Sequence, residues 1–203
     1  EGRAYAGGWW DWLTPFSILT GMALVVGYSL LGATWLVMKT TGDLRERAYR
    51  LSWWLLFAML GAIGAVSLAT PFLDAEYARR WFAWPNILLT APVPIAVAAV
   101  TALLLRSLAR RQDHPPFFLA LALFALSYAG LGISMWPYIV PHSITIWQAA
   151  APESSQLFML VGVAILIPII LVYTGWAYWV FRGKVDPESG YHSSLRVTTN
   201  RCR

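Results

Sequence analysis

The sequence predicts an all-α integral membrane protein with about five transmembrane helices. Three observations carry this. Only 12% of the residues are charged, about half the ~25% of a soluble domain. Five runs of about 20 residues or a little more contain no Asp, Glu, Lys, Arg or His, and a hydrocarbon core about 30 Å thick requires runs of that length at 1.5 Å per residue. The chain also holds 12 Trp, a residue that concentrates at membrane–water boundaries.

The first run spans Trp12 to Met38. In lipid it has to be helical, because no water is present to satisfy its backbone groups; the same holds for the other four. A basic loop, 39–50, follows with Lys39, Arg45, Arg47 and Arg50. The second run, Leu51 to Leu73, repeats small residues every fourth position at Gly61, Ala65 and Ala69, with Ala58 and Ala62 beside them. Such a stripe lets helix backbones approach closely, so these positions are expected at a packing face. The third run, Asn86 to Leu105, contains "APVP" (91–94), and two prolines there predict a kink. Thr90 and Thr101 are candidates to re-pair freed backbone groups. The loop 106–115 adds Arg106, Arg110 and Arg111. The fourth run spans Pro116 to Trp136, and Pro137 and Pro141 are expected to stop it. The fifth, Leu157 to Phe181, is preceded by "PESSQ" (152–156), which offers helix-capping side chains.

Between the fourth and fifth runs lies "SMWPYIVPHSITIWQAAAPESSQ" (134–156), rich in rings and nearly free of charge. Trp136, Tyr138 and Trp147 suit the headgroup layer, where a ring buries its body and wets its polar edge. They are read as anchors of a loop lying at the membrane surface; the sharper alternative is a cap over a ligand pocket or a subunit contact.

Charge sets an orientation. Twelve of the fifteen Lys and Arg lie in loops 39–50 and 106–115 and in the segment after Phe181; the other three are Arg3, Arg79 and Arg80. The positive-inside rule then places Glu1 outside and Arg203 in the cytoplasm, with 74–85 and 137–156 external. The net charge of +5 is explained by this bias and does not require nucleic acid.

Several chemistries are disfavoured. Ionisable groups inside spans mark ion and proton pathways, and the five runs hold none. An axial haem ligand inside a bundle is usually His or Met. His114, His142 and His192 all fall outside the runs, and Met22, Met38, Met59, Met135 and Met159 read as packing residues. Asp11, Asp43, Asp74 and Asp113 fall at span ends or in loops, where solvated capping is expected. One Cys, Cys202, permits no Cys-based metal cluster. No catalytic, cofactor-binding or metal-binding residue is assigned. The first residue is Glu1 and no signal peptide precedes the first run, which suggests the back part of a longer chain.

Three stretches carry a resemblance: "GGWWDWLTPFSILTGMALVVGYSLLGATWLVMKTTGDL" (7–44), "SMWPYIVPHSITIWQAAAPESSQLFMLVG" (134–162) and "IPIILVYTGWAYWVFRGKV" (167–185). In this order they resemble subunit II of cytochrome bd-type quinol oxidases, nearest the cyanide-insensitive branch, over about residues 2–192. The resemblance implies a bacterial inner-membrane protein of nine spans, of which these five would be the rear: a four-helix bundle plus one additional helix, with residues 193–203 a disordered basic tail or a scar. It implies a heterodimer with a haem-bearing subunit I, which carries two b-type haems, one d-type haem and the quinol site and reduces oxygen to water. Subunit II of that family ligates no haem; in some members it holds a structural quinone. The acids linked to proton entry lie in the front half, so none is carried onto a position here. The competing reading is a polytopic transporter or permease fragment. Its spans would offer only Tyr28, Ser29, Ser67, Ser127 and Tyr128 to a polar cavity.

Overall fold

The computed structural model of the chain describes residues 7–73, 79, 81, 82, 84, 87–140 and 143–184. Five helices in it are long and apolar enough to cross a membrane, and the chain is an all-α integral membrane protein. It divides into two compact units. One holds the first four long helices; the other comprises residues 135–184.

Helix α1 spans Pro15–Lys39. Thr14 starts it: the Thr14 hydroxyl accepts from the Ser17 amide at 3.1 Å, and the Ser17 hydroxyl accepts from the Thr14 amide at 2.9 Å. Pro15 occupies the first turn, where its missing N–H costs nothing. Helix α2 spans Gly42–Leu73. The turn between them needs Gly42 at φ 63°, a left-handed conformation that a side chain would strain. The expected loop 39–50 is therefore mostly helix. Asp43 sits in the first turn of α2, where a negative charge suits the helix dipole, and the charged residues continue the helix beyond the apolar run.

The proline pair in the third run divides it. A single helical turn, α3 (Ile87–Thr90), precedes α4 (Pro92–Ala109). Pro92 and Pro94 lack the N–H groups that would bond Leu88 and Thr90. The Thr90 hydroxyl donates to Trp81 O at 3.0 Å and lies 3.4 Å from Ile87 O. The Thr101 hydroxyl is buried without a hydrogen-bond partner. Helix α5, Pro115–Met135, completes the first unit and stops just before Pro137.

The core of this unit draws on all four long helices: Leu30 and Val37 from α1, Tyr49, Leu56 and Met59 from α2, Leu104 and Leu108 from α4, and Leu123 from α5. Helices α1 and α2 pack along each other, and the small residues Ala33 and Thr34 of α1 and Ala48 and Ser52 of α2 are buried. Close approach to α5 occurs at Gly27, where an added Cβ would lie 3.3 Å from Phe124 Cε2 and 3.5 Å from Met59 Cε.

In the second unit, β1 (Tyr138–Val140) and β2 (Ile144–Thr145) form an antiparallel ribbon, followed by the one-turn helix α6 (Ile146–Ala149). Helix α7, Glu153–Val180, contains Pro168 and has no buried residue. It begins four residues before the expected span. Its N-cap is Pro152, without a side-chain cap, so the serines of "PESSQ" lie inside the helix and do not cap it; Gln156 Nε2 instead donates to Ala151 O at 2.6 Å.

Candidate functional site

Three features bear on function: the ribbon with its rings, the outward face of α2, and a polar cluster where α4 turns into α5.

The residues Trp136, Tyr138 and Trp147 come together. Tyr138 lies opposite Thr145 in the ribbon, and the Ile146 amide donates to Pro137 O at 3.0 Å. Trp136 and Trp147 meet edge to face, 5.7 Å between centroids at 76°, the geometry the ring quadrupoles favour. Thr145 caps α6 by the reciprocal bonds of a capping box with Gln148. The β-branched runs on either side of 141–143 and the T-x-x-Q spacing were the available signals for this ribbon. Both Trp rings remain more than half exposed. Pro141 and His142 lie outside the described residues, as do His192, Cys202, Asp74 and the tail 193–203.

Gly61 and Ala65 face away from the bundle. Both are exposed, Ala69 is half-buried, and a Cβ on Gly61 would meet no atom within 4 Å. Within the first unit, no described residue packs closely on Gly61, and the sequence stripe does not say what stands opposite it. Trp54, Ala58, Gly61, Ala65 and Leu68 are all exposed. At spacings of four, three, four and three they form one continuous seam, with a notch of small residues between two large ones.

The third feature is absent from the sequence reading. Helix α4 ends in a Schellman turn: the Gln112 amide donates to Ser107 O at 3.1 Å and the Arg111 amide to Leu108 O at 3.1 Å. The left-handed residue is Arg111, φ 52°, where glycine is usual. Side chains of α2 hold this turn. Arg45 donates through Nε to Asp113 Oδ1 at 3.0 Å and pairs with it through a second nitrogen. The Tyr49 hydroxyl donates to Gln112 O at 2.7 Å. Arg111 pairs with Glu46 at 2.7 Å. Arg45 and Arg111 also approach the Tyr49 ring, at 5.1 and 5.8 Å. Asp113 is thus an ion-pair partner and not a solvated cap.

Tyr28 packs on Phe124 with centroids 5.2 Å apart, and Tyr128 is exposed. Among the described residues no three His, Cys, Asp or Glu side chains cluster as a metal site would require.

Comparison with known proteins identifies the family. The family model for cytochrome bd terminal oxidase subunit II matches residues 1–181. The chain is similar to cytochrome bd-I ubiquinol oxidase subunit 2 of Escherichia coli K12, 27% identical over 91% of this chain and 56% of that protein. It is similar to a probable cytochrome oxidase subunit 2 of Haemophilus influenzae, 29% identical over 90% of this chain and 56% of the relative. A cytochrome bd ubiquinol oxidase subunit 2 of Bacillus subtilis is 23% identical over 87% of this chain and 52% of its own. The chain spans about half the length of the curated relatives it matches.

Proposed function

Because the chain belongs to the family of cytochrome bd terminal oxidase subunit II, we propose that it is part of the subunit that supports a haem-bearing partner in a quinol:oxygen oxidoreductase. The complex would oxidise two quinols to quinones for each O2 reduced to two waters. One observation carries the supporting role: stretches 15–38, 51–73, 87–105, 115–135 and 157–180 contain no His, Asp, Glu, Lys or Arg. Such spans supply neither an imidazole to haem iron nor a carboxylate to a proton relay, which supports assigning the haems and the quinol site to subunit I.

What this chain supplies is surface. The seam from Trp54 to Leu68 presents a small-residue notch into which a partner helix can settle by packing, without ion pairs. The ribbon rings sit at headgroup depth on the outer side, and the Arg45–Asp113 cluster lies on the cytoplasmic side, as the distribution of Lys and Arg favours.

Co-expression of a tagged full-length subunit with its haem-bearing neighbour tests the reading. The tag should retain the b- and d-type haem spectrum and quinol-dependent oxygen uptake. The subunit purified alone should show no stoichiometric reduced-minus-oxidised haem spectrum. Haem bound by the subunit alone, or a tagged subunit that retains no haem partner, would overturn it.

A further inference from the structure

Four arginines meet where α4 turns into α5, and they fall into two classes. Arg45 and Arg111 are neutralised by Asp113 and Glu46. The side chains of Arg106 and Arg110 have no hydrogen bond or ion pair with the described residues. They are four residues apart at the end of α4, Arg110 being its C-cap, and so lie on one side of it. Ser107 lies between them, 3% exposed, and its Oγ is buried without a partner, a state that folded proteins rarely leave uncompensated. All three line a cavity of about 500 Å³ together with Gln112 and Pro115. Pro115 is the first residue of α5, so the positive end of that helix borders the same space. The remaining wall is apolar: Leu103 and Phe118 line it and are 52% and 59% exposed.

We propose that this cavity binds an anionic phospholipid, with the phosphodiester at Arg106, Arg110 and Ser107 and an acyl chain along Leu103 and Phe118. The site combines the two halves of such a molecule. Two guanidinium groups match phosphate oxygens in charge and geometry, and the hydroxyl adds a short-range donor that a diffuse basic surface lacks. A free anion would leave the apolar wall unused, and a neutral ring would leave two cations uncompensated. Basic pockets between helices at a membrane face are suited to anionic headgroups on general electrostatic grounds.

The test is native mass spectrometry of the full-length subunit, released from nanodiscs of equal phosphatidylglycerol and phosphatidylcholine. One phosphatidylglycerol should be retained in preference to phosphatidylcholine by about thirtyfold, the effect of two cations near a membrane surface. The double variant Arg106→Gln/Arg110→Gln should lose that molecule. Arg47→Gln/Arg50→Gln removes the same charge from exposed positions on α2 and should keep it. Equal loss in both doubles, or no lipid preference in the parent, overturns the proposal in favour of diffuse charge. Protection of the lipid-free subunit against heating by inorganic phosphate, equal to that by phosphatidylglycerol, overturns the lipid in favour of a free anion. Ser107→Ala removes only the hydroxyl oxygen and keeps both charges, so it carries the test if the first double fails to fold: it should reduce retention, and unchanged retention removes the hydroxyl from the site and refutes it.

Discussion

Replacing Gly27 and Gly61 separately by Leu isolates one quantity. Both are interior positions of long helices, so both variants gain the same helix propensity, about 1 kcal/mol, and this cancels in their difference. What remains is space. At Gly27 the first added carbon would already lie 3.3 Å from the Phe124 ring and 3.5 Å from Met59 Cε, and three more carbons have to follow it. Overpacking of this kind costs about 1–3 kcal/mol. At Gly61 the added carbon meets nothing within 4 Å, and a Leu facing detergent or lipid has little transfer energy to gain or lose. Gly27→Leu should therefore melt below Gly61→Leu by about 2–12 °C, at 2–4 °C per kcal/mol for a chain of this size. Thermal unfolding in detergent, followed by Trp fluorescence, measures it. A second reading separates the two surfaces: Gly61→Leu should leave the melting of the lone subunit unchanged or raised while reducing recovery of the haem-bearing complex. If the two variants melt together, the contact of Gly27 with α5 does not hold this bundle. If Gly61→Leu also assembles like the parent, the seam faces lipid.

Arg111→Gly should be neutral or slightly stabilising: it relieves a left-handed side-chain conformation worth about 1 kcal/mol and loses a largely exposed ion pair worth less than that. Arg111→Ala loses the pair without the relief and should melt lower; equal melting of the two would show that the turn is unstrained. Asp113→Asn removes the charge that Arg45 pairs with and should cost about 1–2 kcal/mol, read as faster amide exchange at 110–114; unchanged exchange would mean Tyr49 holds the turn alone. Trp147→Ala should loosen the ribbon and lower assembly, whereas His142→Ala should leave oxygen uptake per haem nearly unchanged; lost turnover with normal haem content would put the segment in the chemistry. With Cys202→Ser as background, an impermeant thiol reagent added outside intact cells should label Ser143→Cys and not Arg47→Cys; the reverse pattern inverts the orientation.

The five spans were legible because lipid leaves a chain no alternative to helix and charge marks where it ends. The same rule misplaced the start of α2. Charge ends an apolar run, but it does not end a helix that Gly42 opens and Asp43 stabilises. The polar cluster was invisible because Arg45 and Asp113 are 68 residues apart and each alone looks like a solvated loop residue. The small-residue stripe on α2 was legible as a pattern, but spacing along one helix does not say what stands opposite it. Contact at Gly27 depends on the ring of Phe124 opposite, which no local spacing encodes. Trp136, Tyr138 and Trp147 were singled out by composition; their meeting in a ribbon depended on strand pairing across 141–143.

Helix α7 is apolar on every side, with no residue buried. Its depth in a bilayer is fixed: Trp176 and Trp179 stand 5.5 Å apart near its end, and Arg182 lies 5.0 Å over the Trp179 ring, an amphipathic collar suited to the interface. Its rotation about its own axis is another matter. Lipid tails pull equally on all faces of such a cylinder, so the bilayer provides a vertical stop and no azimuth. The azimuth has to come from shape or from a neighbour, and Pro168, inside the helix, is a built-in asymmetry because it leaves one carbonyl of the ladder without its N–H partner. Pro168→Ala would restore the missing N–H to the helix and leave its depth unchanged, giving a span correctly inserted with one fewer cue to its rotation.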